Sequence, residues 1–196
     1  SIIRVPNNKY HDGVEYPLLL GSIDKFALDG NRLINEAGIY GANGTRYFTE
    51  NENFLEIISR SSGSNVTPDY FTVHSKDGTQ SVYGNTEDSK IKMSQSSNND
   101  VVYGYNISSI TDVNGNRVEY LYINDDGENR ISKIQYGLNS NAGLSNPVVE
   151  VFFLYSKRID GIEFNIGPNR SNNTILKLKQ LSLLRGIRIT VKGELF

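Results

Sequence analysis

The stretch SSITDVNGNRVEYLYINDDGENRISKI, from Ser108 to Ile134, carries the pattern that predicts the fold. Runs rich in tyrosine and β-branched residues alternate there with two turn pairs, Asn114-Gly115 and Asp126-Gly127. Asn-Gly and Asp-Gly pairs between alternating runs are strong hairpin signals, because these residues tolerate the positive φ angles of tight turns. The stretch therefore predicts two successive β-hairpins.

The same pattern extends along the chain, where Asp77-Gly78 separates two further β-rich runs and VVEVFFLYS and TILKLKQLSLL also favour strands. The segment Thr49–Arg60 carries a formal capping box, so a short helix is an alternative there, although its β-branched residues favour a strand. Polar segments SSGSNVTPD and SQSSNND are typical of loops. We predict an all-β fold, an antiparallel β-meander of successive hairpins in a shell-like or sandwich-like sheet with little helix.

No segment resembles an interdomain linker, so residues 1–196 are expected to form a single all-β domain. The opening on Ser1 and the apolar ending GELF lead us to expect a fragment of a much larger protein. A net charge of −2 argues against a binder of duplex nucleic acid, which needs a basic face. The chain has no cysteine, which excludes disulfides and thiolate metal sites, and its apolar runs are too short to span a membrane.

A calcium-loop pattern begins at Asp112, Asn114 and Asn116, but Arg117 and Ile123 occupy the positions where such a loop needs Gly and a bidentate Glu. We therefore predict no metal site in this loop. The carboxylates within Asn124–Glu128 leave open a weak cation site, although a solvated hairpin tip is the favoured interpretation. No cofactor is predicted.

Motifs for catalysis are absent from the sequence. The two histidines, His11 and His74, are far apart, and no phosphate loop or nucleophile elbow occurs. The segment Glu50-Asn51-Glu52 resembles the Glu-x-Glu of ADP-ribosyltransferases, but the arginine and serines that should precede it follow it instead. We predict no enzymatic activity and no catalytic residues.

Five tyrosines in predicted strands form a possible ligand or packing surface. Such residues pack across neighbouring strands in most sheets, but an exposed row of tyrosine rings could also bind carbohydrate. The residues are Tyr103, Tyr105, Tyr120, Tyr122 and Tyr136.

Several segments, in this order, resemble one known family. They include FALDGNRLI, RYFTENENFLEII, PDYFTVHSKDGTQSVYG, ITDVNGNRVEYLY and VEVFFLYSKRID. The chain resembles the N-terminal region of the SpvB-like proteins and of the B components of insecticidal toxin complexes, which lies upstream of Rhs/YD repeats. It departs from the family where a tryptophan usually precedes the ITDxNGN segment, since VYGY (102–105) stands there.

The resemblance implies a non-catalytic structural module of a large bacterial virulence protein, secreted or on the cell surface. It would help to build a β-sheet shell that encloses or delivers a C-terminal toxin. Its expected partners are other toxin-complex domains or subunits of the YD-repeat type, with possible self-association through sheet edges. The alternative function is that of a carbohydrate- or cell-surface-binding β module.

Overall fold

The computed structural model describes residues 1–63, 67–93, 101–168, 175–192 and 194–195. Its strands are β1 (Ile2–Val5), β2 (Lys25–Leu28), β3 (Asn31–Ala37), β4 (Arg46–Thr49), β5 (Glu56–Arg60), β6 (Tyr70–His74), β7 (Gln80–Tyr83), β8 (Lys90–Met93), β9 (Val101–Tyr105), β10 (Ile107–Thr111), β11 (Arg117–Asp125), β12 (Glu128–Leu138), β13 (Val149–Pro168), β14 (Ile175–Val191) and β15 (Glu194–Leu195). The described helices are α1 (Lys9–Asp12) and a 3₁₀ turn at Ser140–Ala142. None of them is long and apolar enough to cross a membrane.

Every strand pairing in the described residues is antiparallel, which confirms the predicted all-β meander. The capping-box alternative is wrong, because β5 occupies the end of that segment and the Thr49 hydroxyl contacts the side chain of Asn53. The predicted loop SQSSNND lies outside the described residues, as do three residues of SSGSNVTPD.

The predicted turns form as the turn residues dictate. Asp126 and Gly127 have φ angles of 47° and 80° and connect the paired residues Asp125 and Glu128. Asp29-Gly30 makes the same two-residue connection between β2 and β3, with φ angles of 48° and 85°. Two positive φ angles define the type I′ turn, whose twist matches that of the flanking strands.

The sheet curls because β9 and β10 are separated by Asn106 alone. The strand order is β15-β14-β13-β12-β11-β10-β7-β6-β5-β4-β3-β2-β1-β9-β8, so these consecutive strands lie far apart in the ladder. Asn106 connects the two parts, since its amide donates to the Ser89 carbonyl at 2.8 Å and its carbonyl accepts from the Gly84 amide at 2.9 Å. The ten strands β1–β10 therefore wrap around one interior.

Aromatic side chains fill this interior. Phe71 lies 5.2 Å from Phe26 and 5.1 Å from Tyr105 between ring centroids, with the ring planes steeply inclined. Edge-to-face contacts of this kind are favourable because the positive edge of one ring meets the negative face of another. The remaining buried members of the cluster are Ile2, Leu28, Leu33, Tyr47, Ile57, Val73 and Tyr83.

Beyond the curled part, β11 to β15 continue as an antiparallel extension that we call the C-terminal meander (Arg117–Leu195). Its longest hairpin is β13–β14, which has register shifts after Leu154, Lys157 and Asn165. Bulges increase local bending and twist, so this hairpin is not flat. The whole is one curled sheet with a meander attached, rather than two separate packed sheets.

Candidate interaction surface

The structure does not place the five predicted tyrosines on one surface. Tyr105 is completely buried in the core, and its hydroxyl donates to the Pro68 carbonyl at 2.7 Å. Burial raises the pKa of Tyr105 to about 12. Tyr103 points elsewhere and packs against the small cluster of Leu20 and Met93. These two side chains belong to packing layers inside the molecule.

The other three tyrosines share one side of the C-terminal meander. Tyr120 pairs with Ile134 on β12, and Tyr122 lies two residues further along β11 on the same face. The Tyr122 hydroxyl donates to the Ile107 carbonyl at 2.8 Å, whereas Tyr136 is 38% exposed. Burial, followed by the neighbouring Tyr136, raises the pKa of Tyr120. Carbohydrate binding by these rings stays a prediction.

Apolar side chains extend this tyrosine group across the meander. We define the apolar face by cross-strand pairs, whose members point to the same side of a sheet. It consists of Tyr120, Tyr122, Ile134, Tyr136, Val149, Val151, Phe153, Ile187, Ile189 and Val191. None of these residues is buried in the described part of the chain: three are exposed and the other seven are partly buried, so the face is partly open to solvent. Ile187 is the most exposed, at 56%.

The opposite face of the same strands is polar and internally connected. Lys133 donates to Glu150 at 2.9 Å and Gln135 donates to the same carboxylate oxygen at 2.7 Å. The Lys133 hydrogen bond is the main reason why the pKa of Glu150 is lowered. Lys133 and Arg188 also lie over the Phe152 ring, at 5.3 and 4.7 Å from its centroid. The meander is therefore amphipathic, with polar contacts concentrated on one face and apolar, partly exposed side chains on the other.

A buried carboxylate at the β11–β12 tip attaches the β13–β14 hairpin to the rest of the sheet. One oxygen of Glu128 accepts from the amides of Leu181 and Ser182, both at 3.0 Å. The other accepts from the Ser182 hydroxyl at 2.7 Å and from the Arg130 guanidinium at 2.8 Å. The Lys179 amide adds a bond to the Gly127 carbonyl at 3.0 Å. Sequence reasoning missed this role, because Leu181 and Ser182 are more than 50 residues away from Glu128.

The carboxylates within Asn124–Glu128 face protein cations. Asp126 pairs with Lys179 at 2.7 Å, and Asp125 lies 3.9 Å from Arg130, which also contacts Glu128. Among the described residues no group of three or more acidic or histidine side chains could hold a metal ion. The weak cation site considered from the sequence stays without support from this geometry.

The calcium-like loop is closed by its own backbone. Asp112 accepts from the amides of Asn114 and Asn116, at 2.9 and 2.8 Å, and from the side-chain amide of Asn116 at 2.8 Å. These bonds, the side-chain amide first, lower the pKa of Asp112. Asn139 donates to the carbonyl of Asn114 and to the side chain of Asn116, which fixes the turn against the neighbouring loop. The carboxylate therefore has a structural role.

A second charged group lies beside α1. Asp12 contacts the guanidinium of Arg32 and lies 3.8 Å from the Lys25 ammonium, which itself lies 4.2 Å from the centre of the Tyr40 ring. His11 hydrogen-bonds to Glu50 at 2.9 Å. These contacts attach α1 to β2, to β3 and to the residue that follows β4, so the group is explained as a structural contact.

Comparison with known proteins places this fold. The structure of the N-terminal domain of effector protein SpvB from Salmonella typhimurium strain LT2 is similar, with a TM-score of 0.70 and 15% identity, over 97% of this chain and 74% of that chain. The crystal structure of TcdB2-TccC3-Cdc42 gives a TM-score of 0.66 at 15% identity, and the Photorhabdus luminescens Tc holotoxin pore gives 0.67 at 14%. This chain aligns over 97% of its length with each of the two but spans only 11% of theirs.

At such low identity these likenesses show the fold alone. No curated protein matches the sequence significantly. The model of one protein family, described as Salmonella virulence plasmid 65kDa B protein, matches residues 34–147, which is more than half of the 196-residue chain. The matched range runs from β3 through the two hairpins of the opening stretch to the end of the β12–β13 connection. On this match the chain belongs to the SpvB family.

Proposed function

We propose that this chain is a non-catalytic structural module of a large bacterial toxin-complex or Rhs-type virulence protein, secreted or on the cell surface. Residues 1–196 would act as one all-β unit that contributes to a β-sheet shell around a C-terminal toxin. The partly exposed apolar face of the C-terminal meander is the observation that carries this proposal. The fold shared with the SpvB N-terminal domain and with structures of Tc toxin components supports it.

The apolar face is suited to permanent contact with a neighbouring domain or subunit. Burying a large apolar side chain contributes roughly 1.5–3 kcal/mol, and Ile187, Ile189 and Tyr136 are 56%, 41% and 38% exposed. A cover over this face would therefore stabilise the assembly by several kcal/mol. Contiguous apolar patches of this kind on a protein surface mark interaction sites. The expected cover is another toxin-complex domain or subunit.

The contacts of the carboxylates Glu128, Asp112 and Asp12 support a structural rather than a catalytic role. Glu128 and Asp12 form hydrogen bonds or ion pairs that join separate segments of the chain, and Asp112 closes its own turn. Catalytic acids and bases are set so that they reach a substrate, and their pKa values are shifted toward the working pH. The carboxylates of Glu128, Asp112 and Asp12 instead contact amides and cations of the protein itself.

Light scattering after size-exclusion chromatography tests the role of the apolar face. We expect the isolated chain to self-associate, and we expect Ile187→Lys and Ile189→Lys to make it monomeric, because a charge on this face opposes its burial. Ile39→Lys is the matched control, since Ile39 is 71% exposed in the β3–β4 connection, away from the meander. A parent chain that stays monomeric and binds no hydrophobic dye would contradict the proposal.

A further inference from the structure

The outer edge of β14 is protected along only part of its length. Between Lys179 and Ser182 its amides bond to Gly127 and to the Glu128 carboxylate, and near its end β15 pairs with Thr190 and Val191. Between these two points, in the structure as described, Leu183–Ile189 has register partners on β13 alone. An edge strand without a neighbour presents amide and carbonyl groups to which another strand can bond.

Two arginines mark this uncovered segment. Arg185 and Arg188 are exposed, and in the described part of the chain neither forms an ion pair with a carboxylate. Arg185 donates to the Ser156 hydroxyl at 2.7 Å, and Arg188 lies over the Phe152 ring. Basic residues nearby are neutralised, since Lys133 pairs with Glu150 and Lys179 with Asp126. The edge thus carries two charges for which the described residues supply no carboxylate partner.

These charges disfavour pairing with a second copy. An antiparallel pairing of two identical edges centred near residues 186 or 187 brings an arginine of one copy opposite or diagonal to an arginine of the other. Like charges at such positions destabilise a strand pair, whereas opposite charges stabilise it. Pairing of this edge with the same edge of a second copy is therefore disfavoured, and pairing with an acidic strand is favoured.

We propose that Leu183–Ile189 binds, by strand addition, an extended segment of a partner that carries two carboxylates spaced to face Arg185 and Arg188. Backbone hydrogen bonds would hold the added strand, and the two charge pairs would set its register. The inference rests on the proposed function, because the segment would belong to the neighbouring part of the shell. The inference adds that this neighbour presents an extended segment with two carboxylates.

The test uses short capped peptides and isotope-labelled protein followed by NMR. One peptide has the sequence Thr-Glu-Val-Glu-Val-Thr-Val, whose two glutamates lie on one face of an extended strand, and its counterpart has lysine in place of both glutamates. We expect the acidic peptide to shift the amide signals of residues 183–189 in a saturable way at low ionic strength. Its affinity should exceed that of the basic peptide by about tenfold or more, since charge complementarity selects partners and like charges exclude them.

Two controls separate strand addition from simple charge attraction. The double variant Arg185→Glu and Arg188→Glu should reverse the preference, and an acidic peptide with N-methylated backbone should not bind, because it cannot pair with the edge. Equal affinity for both peptides, shifts located elsewhere, or binding of the N-methylated peptide would overturn the inference. A chain that self-associates through its apolar face but ignores peptide charge would keep the proposed function and lose this inference.

Discussion

Glu128→Gln should loosen the attachment of the β13–β14 hairpin more than any exposed charge change. The Glu128 carboxylate accepts four hydrogen bonds, and the residue is only 7% exposed. An amide nitrogen in place of one oxygen would face donors, either the amides of Leu181 and Ser182 or the Arg130 guanidinium. The substitution thus removes about half of the acceptor capacity in a site that water does not reach.

The expected loss of stability follows from the hydrogen-bond donors that would be left without an acceptor. Hydrogen bonds to charged groups contribute about 1.5–3 kcal/mol each, and removing one partner of a buried ion pair costs about 3–5 kcal/mol. Because the Gln oxygen keeps part of the bonding, we expect Glu128→Gln to lower the free energy of unfolding by about 2–4 kcal/mol. The matched control is Glu163→Gln. Glu163 pairs with Lys177 at 2.6 Å, but both are 44% exposed, so a much smaller loss of stability is expected because solvent screens the pair.

Urea denaturation measures the difference in stability, and native-state hydrogen exchange shows where it acts. The amides of Leu181 and Ser182 should exchange faster in Glu128→Gln, while amides in the aromatic core keep their protection relative to global unfolding. Equal stability of the two variants, together with unchanged exchange at both amides, would refute the assignment of Glu128 as the anchor of the hairpin.

Two further predictions concern the curled part of the sheet. Gly84→Ala should destabilise the protein by about 3 kcal/mol, because φ at Gly84 is 78° and a Cβ would collide with the Tyr105 ring. Gly30→Ala should cost only about 1 kcal/mol, because φ there is 85° but no atom lies within 4 Å of the added Cβ. Denaturant titration compares the two variants, and equal losses of stability would contradict the packing argument. Burial raises the pKa of Tyr83 and of Tyr105 to about 12, while unfolded tyrosines ionise near pH 10. The unfolded chain therefore loses these protons first, and the free energy of unfolding should fall as pH rises from about 10 to about 12. Tyr105→Phe should reduce the pH dependence of the free energy of unfolding in this range. An unchanged slope would contradict the assignment of part of this pH dependence to Tyr105.

Local sequence was sufficient for the hairpins of the meander. The Asp126-Gly127 pair allows the type I′ turn whatever surrounds it, since two successive positive φ angles are costly for most other residue pairs. Alternation along β11 placed Tyr120 and Tyr122 on one face correctly, because the period of a strand is two. Both features depend only on residues close together in the chain.

The positions of Tyr103 and Tyr105 could not be obtained in this way. They lie in β9, which has the same local pattern as β11, yet Tyr105 is completely buried while Tyr120 and Tyr122 on β11 are only partly buried. The difference arises at Asn106, where the chain passes from β9, which pairs with β1, to β10, which pairs with β7. This change of partner turns one side of the sheet inward. Which side becomes the interior depends on pairings between residues far apart in sequence.

The sequence by itself determined the all-β class and the hairpins between consecutive strands, because these follow from side-chain periodicity and from the φ angles that Gly, Asn and Asp permit. Only the tertiary structure decided which tyrosines pack inside, that Glu128 anchors β14, and that among the described residues Leu183–Ile189 pairs with β13 alone. Those features result from contacts between distant residues. Burial and long-range hydrogen bonds exist only once the sheet has curled, so no local pattern encodes them.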